Sequence, residues 1–268
     1  MNSNIYIPQS ARLKQVIRSI WQVEELTPFK NEHIMPKGLV EIIFNFSEGT
    51  FVNAKMGDTQ YQLGRCFING YNSSPIQMQL PKQRFFFGVE LQPVAVKRLL
   101  KIPAAEFADL PADLALIDPS FDRLWHRLAE AATFNEKVSI ISNWVEKNSI
   151  EHDPREQMLN DFLHSSAMLN INVSGLAKTL CWSPRHMSRK IQEITGMNTE
   201  EILLYKKYLY AVELMHHKNI SLTEIAYDCH FTDQSHFIKS FKTFTQLTPG
   251  EYLRNKSHLQ GHIFENVR

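Results

Sequence analysis

The chain has 268 residues, 43% of them hydrophobic, and a formal net charge of +1. That length suits two ordinary domains with substantial cores, and that composition excludes a disordered chain. A uniformly basic nucleic-acid binder is excluded too, because residues 154–268 hold only 13 Lys and Arg against 11 Asp and Glu.

The opening "MNSNIYIPQSARLK" lacks the basic-then-apolar order of a signal peptide, and the longest apolar run, "LVEIIFNF", is interrupted by a charge. No membrane partner is expected. Three widely spaced cysteines, Cys66, Cys181 and Cys229, make no disulfide frame and fit a reducing, cytoplasmic location. Leu13, Val16, Ile17 and Ile20 fall at helical spacing and predict a helix from Ala11 to Val23. From Asn31 to Leu91, short runs such as "LVEIIFNFS", "IQMQL" and "RFFFGVEL" alternate with Gly, Pro, Asn and Ser, the pattern of an antiparallel sandwich or barrel. Helices are expected at Pro93 to Lys101, Pro119 to Ala132 and Asn135 to Lys147. Phe121, Leu124, Trp125 and Leu128 form one apolar stripe of this group, and Val138, Ile141 and Val145 another. The stretch Asn148 to Pro154 reads as a linker, so the first domain covers residues 1–150 and the second 154–258. Asp153, Pro154 and Glu156 then supply the cap, first turn and capping-box acid of the next helix.

Chemistry is sparse in the first domain. His33 is the only histidine before His126, and no strand carries H-x-H, so no metal centre is expected. No nucleotide loop, G-x-S-x-G or Cys–His pair occurs either, which argues against catalysis and against a cofactor. Glu41, Arg65 and Tyr71 are the polar residues available to line a small-molecule pocket.

The last third repeats itself. "INVSGLAKTLCWSPRHMSRKIQEITGMNTEEIL" from Ile171 parallels "ISLTEIAYDCHFTDQSHFIKSFKTFTQLTPGEYL" from Ile220. Ile171 matches Ile220, Leu176 matches Ile225, Ala177 matches Ala226 and Ser183 matches Thr232. After one extra residue, Met187 matches Phe237, Arg189 matches Lys239, Ile191 matches Phe241 and Thr195 matches Thr245. Each copy parses as helix, tight turn, helix. Asn172 or Ser221 (with Glu224) caps the first helix, and Ser183 with Pro184, or Thr232, caps the second. Two copies with matched caps and a small alanine at the crossing predict paired helix-turn-helix units. Phe237, Phe241 and Phe244 take core spacing, leaving Gln234, Ser235, His236 and Lys239 on the front and outer side.

The second copy, "AYDCHFTDQSHFIKSFKTFTQLTPGEYLR", resembles the DNA-binding domain of the AraC/XylS family of bacterial transcription regulators. Phe231, Gln234-Ser235, Phe237, Phe241-Lys242, Thr248-Pro249, Tyr252 and Arg254 carry the likeness, which covers about the last 110 residues. The resemblance implies an α+β protein: a β-rich, cupin-like N-terminal domain with flanking helices, then an all-α domain whose two units are joined by a long helix. "NTEEILLYKKYLYAVELMHHK", capped by Asn198 and Glu201, fits that helix. It implies base-facing roles for Arg185, Ser188 and Arg189 in the first unit and Gln234, Ser235, His236 and Lys239 in the second. Lys190 and Lys242 are placed for phosphate. The implied partners are double-stranded promoter DNA, a small-molecule effector, RNA polymerase for an activator, and a second copy of the chain. A binding or enzymatic barrel with a helical appendage that no longer binds DNA is the alternative. The family usually has glycine where His230 stands, at the turn, and again where Gln246 stands; His230 either keeps left-handed geometry there at a cost of about 1–2 kcal/mol, or the turn differs.

Overall fold

Val52, Ala54 and Met56 are buried while Asn53 and Lys55 between them are exposed, the period of a strand with one face in a core. The computed structural model describes residues 2–26, 29–49, 51–149, 153–165, 169 and 171–266. Its strands are β1 (Asn2–Tyr6), β2 (Ile17–Leu26), β3 (Phe29–Ile34), β4 (Val40–Asn45), β5 (Val52–Met56), β6 (Thr59–Leu63), β7 (Cys66–Asn69), β8 (Ile76–Gln79), β9 (Gln83–Leu91), β10 (Ala112–Asp113) and β11 (His262–Asn266). They form two sheets in the orders β1-β2-β9-β4-β7-β10 and β11-β3-β8-β5-β6. Every recorded pairing is antiparallel. Ile43, Phe67 and Phe86 from one sheet meet Ile34, Val52, Met56, Ile76 and Met78 from the other. Trp21 lies so flat across Gly88 that a Cβ there would sit 2.1 Å from the indole ring.

The helices of the first half are α1 (Ala11–Lys14), α2 (Val96–Leu100), α3 (Leu114–Ile117), α4 (Ser120–Glu130) and α5 (Phe134–Asn148). The helix expected from Ala11 to Val23 is not formed: only α1 is helical, and β2 begins at Ile17. Leu13, Val16, Ile17 and Ile20 are all buried, so the apolar spacing was real. A helical turn running into a strand produces the same spacing. β2 must be extended because it fills the gap between β1 and β9, giving both a hydrogen-bonded neighbour. Of the linker, residues 150–152 lie outside the described residues.

The second half consists of α6 (Pro154–His164), α7 (Val173–Thr179), α8 (Pro184–Thr195), α9 (Thr199–His217), α10 (Leu222–Asp228), α11 (Gln234–Thr245) and α12 (Pro249–Asn255). Asp153 caps α6, but Glu156 does not complete a capping box. Its carboxylate instead pairs with Arg98 of α2 at 2.9 Å. The duplication is exact in its turns. Trp182 N–H donates to the Ala177 carbonyl at 2.8 Å, and Phe231 N–H to the Ala226 carbonyl at 3.0 Å. Cys181 and His230, one residue earlier, both adopt left-handed backbone, φ 54° and 55°. Ser183 caps α8, whereas Asp233 caps α11, accepting from His236 N–H at 2.8 Å. Thr232 is therefore the extra residue of the second unit and not its cap. Asp233 outcompetes it because a charged carboxylate at this place is the stronger acceptor for free N-terminal amides.

The repeated threonines have a purpose as well. Thr195 donates to the Ile191 carbonyl and accepts from Met197 N–H; Thr245 does the same with Phe241 and Leu247. Each bridges the end of its helix to the outgoing chain. The helices then stop on left-handed residues, Gly196 at φ 74° and Gln246 at φ 62°.

One apolar core runs through both halves, and α9 carries it across. Tyr205 and Tyr208 are fully buried. The Tyr205 hydroxyl accepts from Gly38 N–H at 2.9 Å and donates to the Asn72 carbonyl at 2.8 Å; the Tyr208 hydroxyl donates to the Pro36 carbonyl at 2.9 Å. Burial drives both phenol pKa values well up, so both stay protonated. Gly38 approaches so closely that a Cβ would sit 2.7 Å from Leu209 Cδ1.

Two sets of variants test this framework. Tyr205→Phe strands two buried groups and should cost about 1–3 kcal/mol, more than Tyr208→Phe, which strands one; urea unfolding gives the order. His230→Gly and Gln246→Gly should each stabilise by about 1 kcal/mol, because glycine removes the left-handed penalty. Gly196→Ala should do the reverse, since its Cβ would lie 2.7 Å from that of Ala108. A melting temperature left unchanged or lowered by His230→Gly would refute the strain.

Candidate nucleic-acid interface

Two buried stripes aim the exposed sides of α8 and α11. Met187, Ile191 and Ile194 face inward from α8; Phe237, Phe241 and Phe244 do so from α11. Phe241 and Phe244 pack on Tyr208 at 5.4 and 5.1 Å, so the second of these helices is seated on the same tyrosines that bind the first domain. What the stripes leave outside is polar: Arg185, Ser188 and Arg189 on α8, and Gln234, Ser235, Lys239 and Lys242 on α11, are all exposed.

Both helices carry a half-buried histidine in the first turn, each held by an aromatic ring from the preceding turn. His186 meets Trp182 edge-on at 4.8 Å, and His236 meets Phe231 at 5.4 Å. His186 Nδ1 stands 3.1 Å from Arg189 Nη2, which steadies the guanidinium at the exposed edge of α8. On α11, the Gln234 carboxamide oxygen accepts from Thr223 Oγ1 of α10 at 3.3 Å, fixing which way the amide points. These supports were not foreseen. The aromatic-to-histidine spacing is the signal that could have shown them, but the extra Thr232 breaks the match between the two copies.

Arg and Lys can donate to guanine edges or phosphates, and a carboxamide can pair with adenine. The arrangement is therefore two polar helix faces, each backed by rings and each opening at a helix N-terminus. Lys190 differs from its neighbours. It is half-buried, 3.6 Å from Glu193, and Glu193 also takes Lys97 of α2 at 2.7 Å. This lysine belongs to the seam between the two halves as much as to the outer face. Side-chain and backbone bonds from Ser221 hold the Glu224 carboxyl below its usual range, and backbone and side-chain bonds from Thr248 do the same for Glu251. These acids are thereby spent on capping. An exposed ring, Tyr227 (82% exposed), stands on α10 beside an open depression lined also by Tyr210, His230 and Thr232.

The pocket residues expected in the first domain do not converge. Glu41 is buried between the sheets, where it pairs with Lys37 at 2.9 Å and accepts from Trp21 Nε1 at 3.3 Å. The cavity beside it holds about 10 Å³, room for about one water. Tyr71 is fully buried at the seam with α9, its ring 5.4 Å from Tyr205. Arg65 is exposed and stacks over Trp125 of α4, 4.6 Å from the ring centroid. Strand alternation separates them: Arg65 precedes β7 on the outside, whereas Glu41 of β4 points into the sandwich. Among the described residues no cluster of His, Cys, Asp and Glu could hold a metal ion, and no helix is long and apolar enough to cross a membrane.

Family models match the two halves separately. Residues 176–255 match the family model described as a helix-turn-helix domain, and residues 5–113 match one described as a domain of unknown function. An uncharacterised HTH-type transcriptional regulator of Staphylococcus aureus is 26% identical over 104 residues, 39% of this chain and 14% of that protein. The porin thermoregulatory protein EnvY of Escherichia coli is 32% identical over 82 residues, 31% of this chain and 32% of the relative. The chain thus spans between about a seventh and a third of these curated relatives. The solved structure of ToxT from Vibrio cholerae is similar over 94% of this chain and 97% of its own, at 13% identity and a TM-score of 0.46. The doubled caps, turns and polar helix faces thus fall in the stretch, residues 176–255, that is similar to the helix-turn-helix domain model.

Proposed function

We propose that this chain is a sequence-specific, DNA-binding transcription regulator whose first domain controls how its paired helix-turn-helix units meet promoter DNA. The observation that carries the reading is the pair of exposed polar faces on α8 and α11, each steadied by a ring–histidine contact and backed by a buried apolar stripe. Such helices enter successive major grooves on one side of the duplex, about 34 Å apart. Arg185, Ser188, Arg189, Gln234, Ser235, His236 and Lys239 are then the base-facing set, with Lys242 on phosphate and Lys190 shared between phosphate and Glu193. The regulatory names of the relatives support this reading.

The first domain acts through its shared core with α9. An effector, a protein partner or a second copy that prefers one packing of this seam would shift DNA affinity by that preference. The filled space beside Glu41 favours a signal received at the seam or surface over a small molecule held between the sheets. The reading implies a cytoplasmic protein and, for an activator, contact with RNA polymerase.

Oligonucleotides selected from a random pool by the intact chain supply the test. Arg189→Ala and Gln234→Ala should each cost about 1–3 kcal/mol and relax the preference at one base pair, whereas Lys242→Ala should weaken all sequences alike and flatten the salt dependence. Equal weakening of every sequence by Arg189→Ala would remove that residue from the base-reading set.

A further inference from the structure

The chain does not stop at the second unit. After α12, residues 256–261 lead into β11, which leaves the helical half and adds itself to the edge of β3 in the first domain. Backbone bonds fix the crossing: Met35 N–H donates to the Gly261 carbonyl at 2.7 Å, and Gly261 N–H donates to the Tyr252 hydroxyl of α12 at 3.1 Å. Gly261 makes the corner at φ 78°.

Side chains then secure the strand on both faces. Inward, His262 Nδ1 meets Glu32 Oε1 at 2.8 Å, and Glu32 also takes Arg84 at 3.3 Å. Phe264 stacks on Phe29 at 4.8 Å. Outward, Glu265 takes His33 at 2.7 Å and Asn31 at 2.8 Å. None of these partners belongs to the DNA-facing helices. The specificity of the contacts shows a strand built for this edge.

Beside the Arg98–Glu156 pair that holds α6, the first domain therefore grips the two units and the helix between them at three places. The first unit is held where Gly196 and Glu193 meet Ala108 and Lys97. α9 is held through its buried tyrosines, and the second unit through β11. The three grips differ in strength of shielding. Tyr205 and Tyr208 are wholly buried, whereas the other two grips close on exposed ion pairs: Lys97–Glu193 with 55% and 20% of its side chains exposed, and the outer pair of β11, His33–Glu265, with 29% and 49%. Of these two, β11 is a five-residue strand at a sheet edge and can part from β3 without breaking a helix of either unit, so it is the grip that opens first.

We propose that β11 is a releasable strap that restrains DNA binding: paired to β3, it fixes the second unit relative to the first, and its release lets α11 settle into its groove. With both units bolted to a third body, the spacing of α8 and α11 cannot adjust to the duplex. With β11 free, α9 is the element that still holds the second unit to the first domain. The proposal rests on the DNA-binding reading above.

A reversible lock tests it in the full chain. His33 and Ile263 are directly opposed in the β3–β11 register and both half-buried. Opposed residues of this kind fall within reach of a disulfide. His33→Cys and Ile263→Cys are combined with Cys181→Ser, which removes the exposed native thiol. The oxidised form should bind a pool-selected oligonucleotide about tenfold more weakly than the same protein after reduction, within the ordinary range of coupling between sites. A chain lacking residues 260–268 should bind at least as tightly as the wild type. Oxidised protein that binds as well as reduced protein, or better, overturns the strap while leaving DNA binding intact. Failure of the wild type to retain any oligonucleotide from the pool overturns the DNA reading, and the strap with it.

Discussion

Tyr205 and Tyr208 are the point through which the rest of the molecule is tied. Their hydroxyls hold the backbone of Pro36, Gly38 and Asn72 in the first domain, and their rings carry Phe241 and Phe244 of α11. A phenol suits this place because it offers a large apolar body and one polar tip. Phenylalanine would fill the volume and abandon the amide; a shorter polar residue would satisfy the amide and empty the core. Because the same two rings face both domains, the position of α11 and the conformation of residues 36–38 are one packing problem. Close-packed interiors transmit such shifts instead of absorbing them.

The helical half was largely readable in the sequence because its constraints are local. A cap, a turn residue and a core stripe each act within a few residues, so a duplicated pattern of them points to a duplicated structure. His230 and Gln246 show how far this goes: the comparison with glycine singled out both places, leaving the turn at His230 open between left-handed and altered geometry, and both residues are left-handed, φ 55° and 62°. One of two local errors, Glu156 taken as a capping-box acid, came from its distant partner Arg98; the other, Thr232 taken as the cap, came from sliding the gap by a residue. Hydrogen-bond geometry settles it, since Trp182 and Phe231 make the same turn bond and the extra residue must follow Phe231.

The first domain was less readable because its constraints are distant. The spacing of Leu13, Val16, Ile17 and Ile20 satisfies a helix and also a helical turn followed by a strand. Only the need of β1 and β9 for a common neighbour decides between them, and that need is invisible before the sheet is assembled. Arg65 and Glu41, two of the three polar residues offered for a pocket, lie on different faces for a related reason: strand alternation sets which face each takes, and neither register nor strand ends can be fixed from one sequence. β11 is the extreme case. Its partner lies more than two hundred residues away, and its five residues carry no helix signal or turn signal that would single them out.

The seam also places a limit on how independently the two halves can act. Glu193 lies on α8, yet it holds Lys97 of the first domain and Lys190 of its own helix. A carboxylate shared between two ammonium groups gives each of them less than it would give one alone. If a phosphate takes Lys190, Glu193 is left to Lys97, and the first unit is held more firmly to the first domain. If Lys97 moves away, Glu193 turns fully to Lys190 and competes with phosphate for it. Linkage requires the two effects to be equal in free energy and opposite to independence. Under the DNA-binding reading proposed above, a single acid on the inner flank of α8 thus makes the first unit's grip on the first domain and its grip on a duplex depend on one another, without any residue touching both.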